Sequence, residues 1–213
     1  MSPPLGPSSH RQKLKVLCLH GLRTSGIIME TQLRKLDQTV LDLLDMTCLD
    51  APHPANGKSD VEGIFQPPYL EWFQFKKTEA GTIFTHLREC IQFILDFMEK
   101  HGPWHCWIFS GSFYMKYNRA HFYQQHLQAC NSSCASLLSY LVVCFMSSMN
   151  GRIATLNLSS AHLIGTRDFL LPRNEELLQK FDNSILIRHD ARHTVPRLDA
   201  SAVLPMKSFL KVC

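Results

Sequence analysis

The sequence lacks a long apolar run, a block of basic residues and a leader segment. Its longest apolar stretch, Leu137 to Met146, has about half of the length that a transmembrane helix needs. Met1 to Gln12 is polar and rich in Pro and Ser, without the apolar segment of a signal peptide. We therefore expect a protein of the cytoplasm that could also occur in the nucleus. We expect it to be neither secreted nor bound to a membrane.

Charge and cysteine usage narrow the function classes further. Charged residues make up 19% of the chain, the net charge is +4, and Lys and Arg never cluster beyond a pair. This dispersed charge argues against nucleic-acid binding, which needs a basic stripe. The 8 cysteines are scattered and several lie in apolar runs, which is typical of reduced thiols packed as small hydrophobic side chains. The spacing of His121, His126, Cys130 and Cys134 matches no common zinc pattern, so no metal site is predicted.

The length of 213 residues fits one domain, predicted over residues 13–212 after a disordered segment at 1–12. Apolar patterning predicts strands at 14–19, 46–49, 104–109, 161–164 and 184–187, and helices at 27–36, 82–100, 174–181 and 200–211. In the second helix, Ile83 and Phe84 begin an apolar face at three-to-four spacing. Alternating strands and helices predict an α/β fold, a mostly parallel sheet covered on both faces. Residues 115–151 give no pattern.

Two groups of residues could form a site. Gly21, Asp50, Ser110, Asp168 and His193 each follow a predicted strand closely, and parallel strands bring such residues to one edge of the sheet. Separately, the loop over 55–75 is rich in aromatic residues that could either pack in the core or line an acyl pocket: Tyr69, Trp72, Phe73 and Phe75.

Three of the edge residues have the order of a serine hydrolase. Such catalysis needs a hydroxyl, an imidazole that takes its proton and a carboxylate that orients the imidazole. In α/β-hydrolases they occur along the chain as Ser, acid and His, and this chain offers Ser110, Asp168 and His193. Singly, Asp168 could be a helix N-cap, His193 a surface residue and His20-Gly21 an ordinary turn.

Several motifs in this order resemble one family. They are Leu17-Cys18-Leu19-His20-Gly21, Asp50-Ala51-Pro52, Tyr69-Leu70-Glu71-Trp72-Phe73, Gly165-Thr166-Arg167-Asp168 and His193-Thr194-Val195-Pro196. The chain is similar over about residues 13–103 and 159–210 to the family of serine hydrolases first defined in fungi, which includes the ovarian-cancer-associated gene 2 protein and its plant relatives. The resemblance implies an α/β-hydrolase fold and hydrolysis of a small-molecule carboxylic ester or thioester without a cofactor. Oligomeric state cannot be read from it.

The same resemblance implies roles for individual residues. Ser110 would be the nucleophile, Asp168 the triad acid and His193 the base. The backbone N–H groups of Leu22 and Gly111 would stabilise the oxyanion.

The segment around Ser110 departs from the family. The family has Gly-Phe-Ser-Gln-Gly at its nucleophile elbow, whereas this chain has Ile108-Phe109-Ser110-Gly111-Ser112. Glycines flank the serine of such an elbow because Cβ atoms there collide with the neighbouring strand and helix. The expected strain is on the order of 1–3 kcal/mol for each affected residue. An alternative function therefore stands beside the esterase, a catalytically impaired isoform that keeps the scaffold as a binding or non-functional product.

A shift of reading frame would explain the departure. A family-like Gly-Ile-Ala-Gly-Phe-Ser-Gln-Gly-Ala-Ser can be encoded so that reading one base earlier gives Trp104 to Phe113 as they stand. Our hypothesis is that about residues 104–151 are translated out of frame, through an alternative splice junction or an error in the gene assignment.

Overall fold

A computed structural model of the chain describes residues 12–79, 81–110 and 156–211. Three of the sequence predictions fall outside these residues. They are the disordered N-terminal segment, the role of Gly111 and the four His and Cys residues between 121 and 134.

Strands and helices alternate along the described chain, as the patterning predicts. The strands are β1 (Leu14–Leu19), β2 (Leu44–Leu49), β3 (His53–Pro54), β4 (Leu70–Glu71), β5 (Gln74–Thr78), β6 (Gly81–Thr85), β7 (Cys106–Phe109), β8 (Leu156–Gly165) and β9 (Phe181–His189). The helices are α1 (Gly26–Leu33), α2 (Gln38–Leu41), α3 (Leu87–His101), α4 (Leu171–Leu178) and α5 (Ala200–Leu210). None of the described helices is long and apolar enough to cross a membrane.

Two sets of parallel strands position the site. β1 lies between β2 and β7, and Leu19 at the end of β1 is opposite Leu49 on one side and Phe109 on the other. β8 and β9 form a separate parallel pair that ends with Gly165 opposite His189. One buried cluster contains side chains from both sets, including Val16 of β1 and Ile187 of β9, so the two sets share a core. Their carboxyl ends carry the residues of interest.

The helix predicted over 82–100 begins later than expected. Residues 81–85 form strand β6, which pairs with β5 in an antiparallel hairpin, and α3 starts only at Leu87. The physical reason is His86, whose φ of 63° lies in the left-handed region and cannot continue a right-handed helix. Ile83 is therefore exposed on a strand instead of being buried on a helix face.

The predicted boundary between α4 and β9 is also wrong. α4 starts at Leu171, with Pro172 in the first turn, where a missing N–H costs nothing. It ends at Leu178, so that Phe181, predicted as the last residue of the helix, is instead the buried first residue of β9. A large apolar side chain at position 181 fits both the helix pattern and the strand pattern, and its packing in the core selects the strand.

The aromatic loop contributes mainly to the core. Trp72 and Phe73 are buried in a cluster with Leu17 and Leu19 of β1, and Trp72 also donates a hydrogen bond through its ring N–H. Of the two interpretations left open by the sequence, core packing therefore holds for these two residues. Phe75 is half-buried, with the Arg23 guanidinium 5.9 Å from its ring centre.

The burial of the His162 ring in β8 predicts that the protein loses stability in acid. Burial lowers the pKa of this imidazole from 6.5 to about 4, so the native state keeps it neutral while the unfolded state takes up a proton. The free energy of unfolding should therefore fall as the pH drops from 6.5 towards 4, by up to about 3 kcal/mol from this residue. Urea unfolding of the protein and of His162→Gln across this range measures the difference. An equal pH dependence in both proteins would contradict the assignment.

Candidate active site

The loop after β1 is built around the buried ring of His20. The Ala51 N–H donates to Nε2 at 3.0 Å, so Nε2 must be unprotonated and Nδ1 carries the proton that it donates to the Gly21 carbonyl at 2.8 Å. Burial lowers the pKa of His20, and the ring is a neutral structural group. Since Ala51 follows β2, this imidazole joins the carboxyl ends of two neighbouring strands.

The same loop is held from its other side by Trp72 and by the chain before it. The Trp72 ring N–H donates to the His20 carbonyl at 2.8 Å, and the two rings lie 5.0 Å apart. The Leu70 N–H donates to the Thr24 carbonyl at 2.7 Å. The chain between His20 and Thr24 is therefore fixed by side-chain and backbone contacts at both ends.

Arg23 lies in the middle of this loop with a φ of 53°, a left-handed conformation that costs a non-glycine residue about 1 kcal/mol or more. Its guanidinium compensates by donating to the buried Glu71 carboxylate at 2.6 Å, to the Lys58 carbonyl at 3.1 Å and to the Asn56 carbonyl at 3.0 Å. The ion pair is buried on the Glu71 side, so removing Arg23 alone would leave an uncompensated carboxylate. The sequence indicates no contact between Arg23 and Glu71, because 48 positions separate them.

Leu22, predicted as an oxyanion donor, is part of this constrained loop. Within the described parts of the chain its backbone N–H donates to no acceptor. An oxyanion donor needs such a group held in place before the substrate arrives. The role of Leu22 as an oxyanion donor stays a prediction.

Ser110 lies directly beyond β7, next to the start of the loop that follows β1. Its N–H donates to the Leu19 carbonyl at 3.2 Å, and because Phe109 is opposite Leu19, Ser110 lies beside His20 on the neighbouring strand. The side chain is half-buried. The serine of a nucleophile elbow sits on a strained turn, but the non-glycine residues with positive φ in the described ranges are Arg23 and His86, not Ser110.

Asp168 and His193 are brought together by the second set of strands. His193 Nδ1 and Asp168 Oδ2 are 2.9 Å apart, and the two side chains are 33% and 7% exposed, respectively. A carboxylate that accepts from Nδ1 leaves Nε2 as the basic nitrogen, which is the tautomer required of a general base. Among the residues that the structure describes, His193 is hydrogen-bonded to Asp168 and not to Ser110.

Further hydrogen bonds fix the Asp168 carboxylate. Oδ1 accepts the Leu170 N–H at 2.8 Å, and Oδ2 also faces Asn174 Nδ2 at 3.4 Å. The alternative that Asp168 is a helix N-cap is wrong, because the N-cap of α4 is Leu170; Oδ1 instead stabilises the turn before α4 while Oδ2 bonds to the imidazole. Asn174 was not predicted, and nothing in its spacing from Asp168 indicates this contact.

The close approach of two loops depends on Gly165. A Cβ atom at this position would lie 2.5 Å from the Ala191 carbonyl oxygen and 2.7 Å from that of Arg192. Only glycine lets the backbone before His193 pass this close to the end of β8. The Thr166 N–H then donates to the His189 carbonyl at 2.8 Å, which joins the two strand ends.

The chain matches one family of known proteins. The family model described as Serine hydrolase (FSH1) matches residues 9–203. A search of curated proteins found no match. Among solved structures, the crystal structure of a SOBER1 variant from Arabidopsis thaliana is similar, with 13% sequence identity and a TM-score of 0.45. That similarity covers 94% of this chain and 99% of the other. No cluster of metal-ligating side chains occurs in the described parts of this chain.

Because Gly165 lies against the backbone before His193, we expect Gly165→Ala to separate Asp168 from His193. The methyl group would meet two backbone carbonyls, so the loop before His193 must move, and we expect a loss of about 1–3 kcal/mol in the free energy of unfolding. The chemical shifts of the His193 ring should change with it. Denaturant unfolding and NMR spectra of the histidine rings measure both effects.

Gly63→Ala is the matched control. No atom lies within 4 Å of a Cβ placed there, and its φ of 84° should cost about 1 kcal/mol through backbone strain alone. If Gly165→Ala and Gly63→Ala leave the His193 resonances equally unchanged, the proposed dependence on Gly165 is wrong.

Proposed function

The chain belongs to the Serine hydrolase (FSH1) family, with its α/β-hydrolase fold, and on that premise we propose that it is an esterase with Ser110 as nucleophile. Its substrates are small to medium carboxylic esters or thioesters. The observation that carries the proposal is the 2.9 Å hydrogen bond between Asp168 and His193. We place these residues in one domain over residues 13–212, in a protein of the cytoplasm.

The proposed reaction has two stages. Ser110 Oγ attacks the ester carbonyl carbon while His193 Nε2 takes its proton, and Asp168 stabilises the imidazolium that forms. The bond to the alcohol or thiol breaks, and His193 gives its proton to that leaving group. A water molecule then attacks the acyl carbon while His193 takes its proton, the bond from that carbon to Ser110 Oγ breaks, and His193 returns the proton to Oγ as the carboxylic acid leaves. No cofactor takes part.

The oxyanion of each tetrahedral intermediate would be stabilised by backbone N–H groups. Leu22 supplies one donor from the loop that Arg23 and His20 constrain. Gly111 supplies the other in this proposal, by the family correspondence. Donors fixed in advance are worth about 10²–10³-fold in kcat each.

A second candidate is a catalytically impaired isoform, and the backbone at Ser110 favours it. Ile108 takes the place of the first elbow glycine, lies opposite Cys18 in the β1–β7 pair and packs against the core. Ser110 does not have the positive φ seen at Arg23. A serine whose backbone lacks that strained conformation would leave the scaffold and the Asp168–His193 pair in place but would not present its hydroxyl for attack.

Labelling with a fluorophosphonate separates the two candidates. The esterase should be labelled at Ser110 and should hydrolyse p-nitrophenyl esters, and both properties should vanish in Ser110→Ala. Peptide mass spectrometry locates the label, and Ser208→Ala, which changes an exposed serine on α5, serves as the control. A protein that melts cooperatively without label or turnover would be the impaired isoform.

Replacing the acid tests the role of the hydrogen bond. In Asp168→Asn the amide can favour the wrong tautomer of His193, and kcat should fall by about 10⁴-fold while KM changes little. Asp190→Asn removes a charge from the same loop without touching the imidazole. Equal losses in the two variants would show that charge near the site, and not the hydrogen bond, is what matters.

A further inference from the structure

One large apolar side chain at the candidate site has no place in the core. Phe169 is 71% exposed, and it belongs to neither of the two buried clusters of the described chain. Its ring centre lies 5.2 Å from that of His193, with the two planes tilted by 51°. An exposed phenyl ring beside a candidate catalytic base calls for a functional explanation.

The position of Phe169 is fixed by its neighbours in the chain. Asp168 before it is bonded to His193, and Leu170 after it donates its N–H to Asp168 Oδ1 at 2.8 Å. The Leu171 N–H donates to the Asp168 carbonyl at 3.0 Å. The turn that holds the acid therefore also holds the backbone of Phe169, so the ring is kept close to the imidazole.

The chemistry of the base identifies what such a ring would contact. In the proposed reaction, His193 hands its proton to the oxygen of the departing alcohol, so the alcohol must lie against the imidazole. A group that lies against that imidazole meets the leaving group more readily than the acyl chain. Binding sites of this kind are largely apolar with a few placed polar groups.

We propose that Phe169 is a specificity-determining residue that forms one wall of the leaving-group site and selects esters of apolar, above all aromatic, alcohols. This inference rests on the proposed function for its catalytic meaning. Offset or edge-to-face contact between Phe169 and an aromatic alcohol would bury a ring that otherwise faces water.

Esters with one acyl group and different alcohols test the selection. Phe169→Ala should lower kcat/KM for 1-naphthyl acetate by about tenfold and change that for ethyl acetate less than about twofold. Phe169→Trp, which keeps an aromatic ring, should retain the preference. Leu204→Ala is the matched control because Leu204 is 70% exposed on α5, and it should alter neither substrate. Equal effects of Phe169→Ala on both esters would overturn the inference.

A binding measurement separates this inference from the proposed function. In Ser110→Ala, which cannot turn over, a titration with 1-naphthol should shift the ring resonances of His193, and adding Phe169→Ala should abolish the shift. If no ester is hydrolysed but naphthol still shifts His193 through Phe169, the esterase proposal fails and the aromatic site stands. If naphthol leaves His193 unchanged, or the shift survives Phe169→Ala, the inference is wrong.

Discussion

The neutral, buried imidazole of His20 is the constraint on which the loop after β1 depends. Its two ring nitrogens bond to Gly21 and Ala51, and its carbonyl accepts from Trp72, so one residue fixes the positions of three separate segments. Protonation would remove the acceptor at Nε2 and place a charge where burial opposes it. Leu22, the predicted oxyanion donor, lies two residues further on in the same loop.

A second constraint, steric in origin, governs the contact between Asp168 and His193. β8 and β9 run parallel, and their ends can approach closely only because Gly165 has no side chain. Asp168 then reaches His193 while its other oxygen stabilises the turn before α4. The contacts of His20 hold the loop after β1, and the missing side chain at Gly165 lets the loop before His193 approach β8.

The sequence predicts the parts of this site that depend on order along the chain. Asp168 and His193 follow strands recognisable from their apolar runs, and the closeness of these two residues is the expected result of parallel pairing. Features created by tertiary contacts cannot be predicted from the order of residues along the chain. The left-handed backbone at His86 starts α3 late, and the pairing of Arg23 with Glu71 joins residues that no local pattern connects.

The acid and the base are separated by only 25 positions, within the continuous unit from β8 through α4 and β9. Every contact described for the pair comes from residues between Gly165 and His193. A transcript that changes the coding of about residues 104–151 therefore leaves this unit intact. Isoforms of such a gene would differ at the position of the predicted nucleophile while sharing an unaltered Asp168–His193 hydrogen bond.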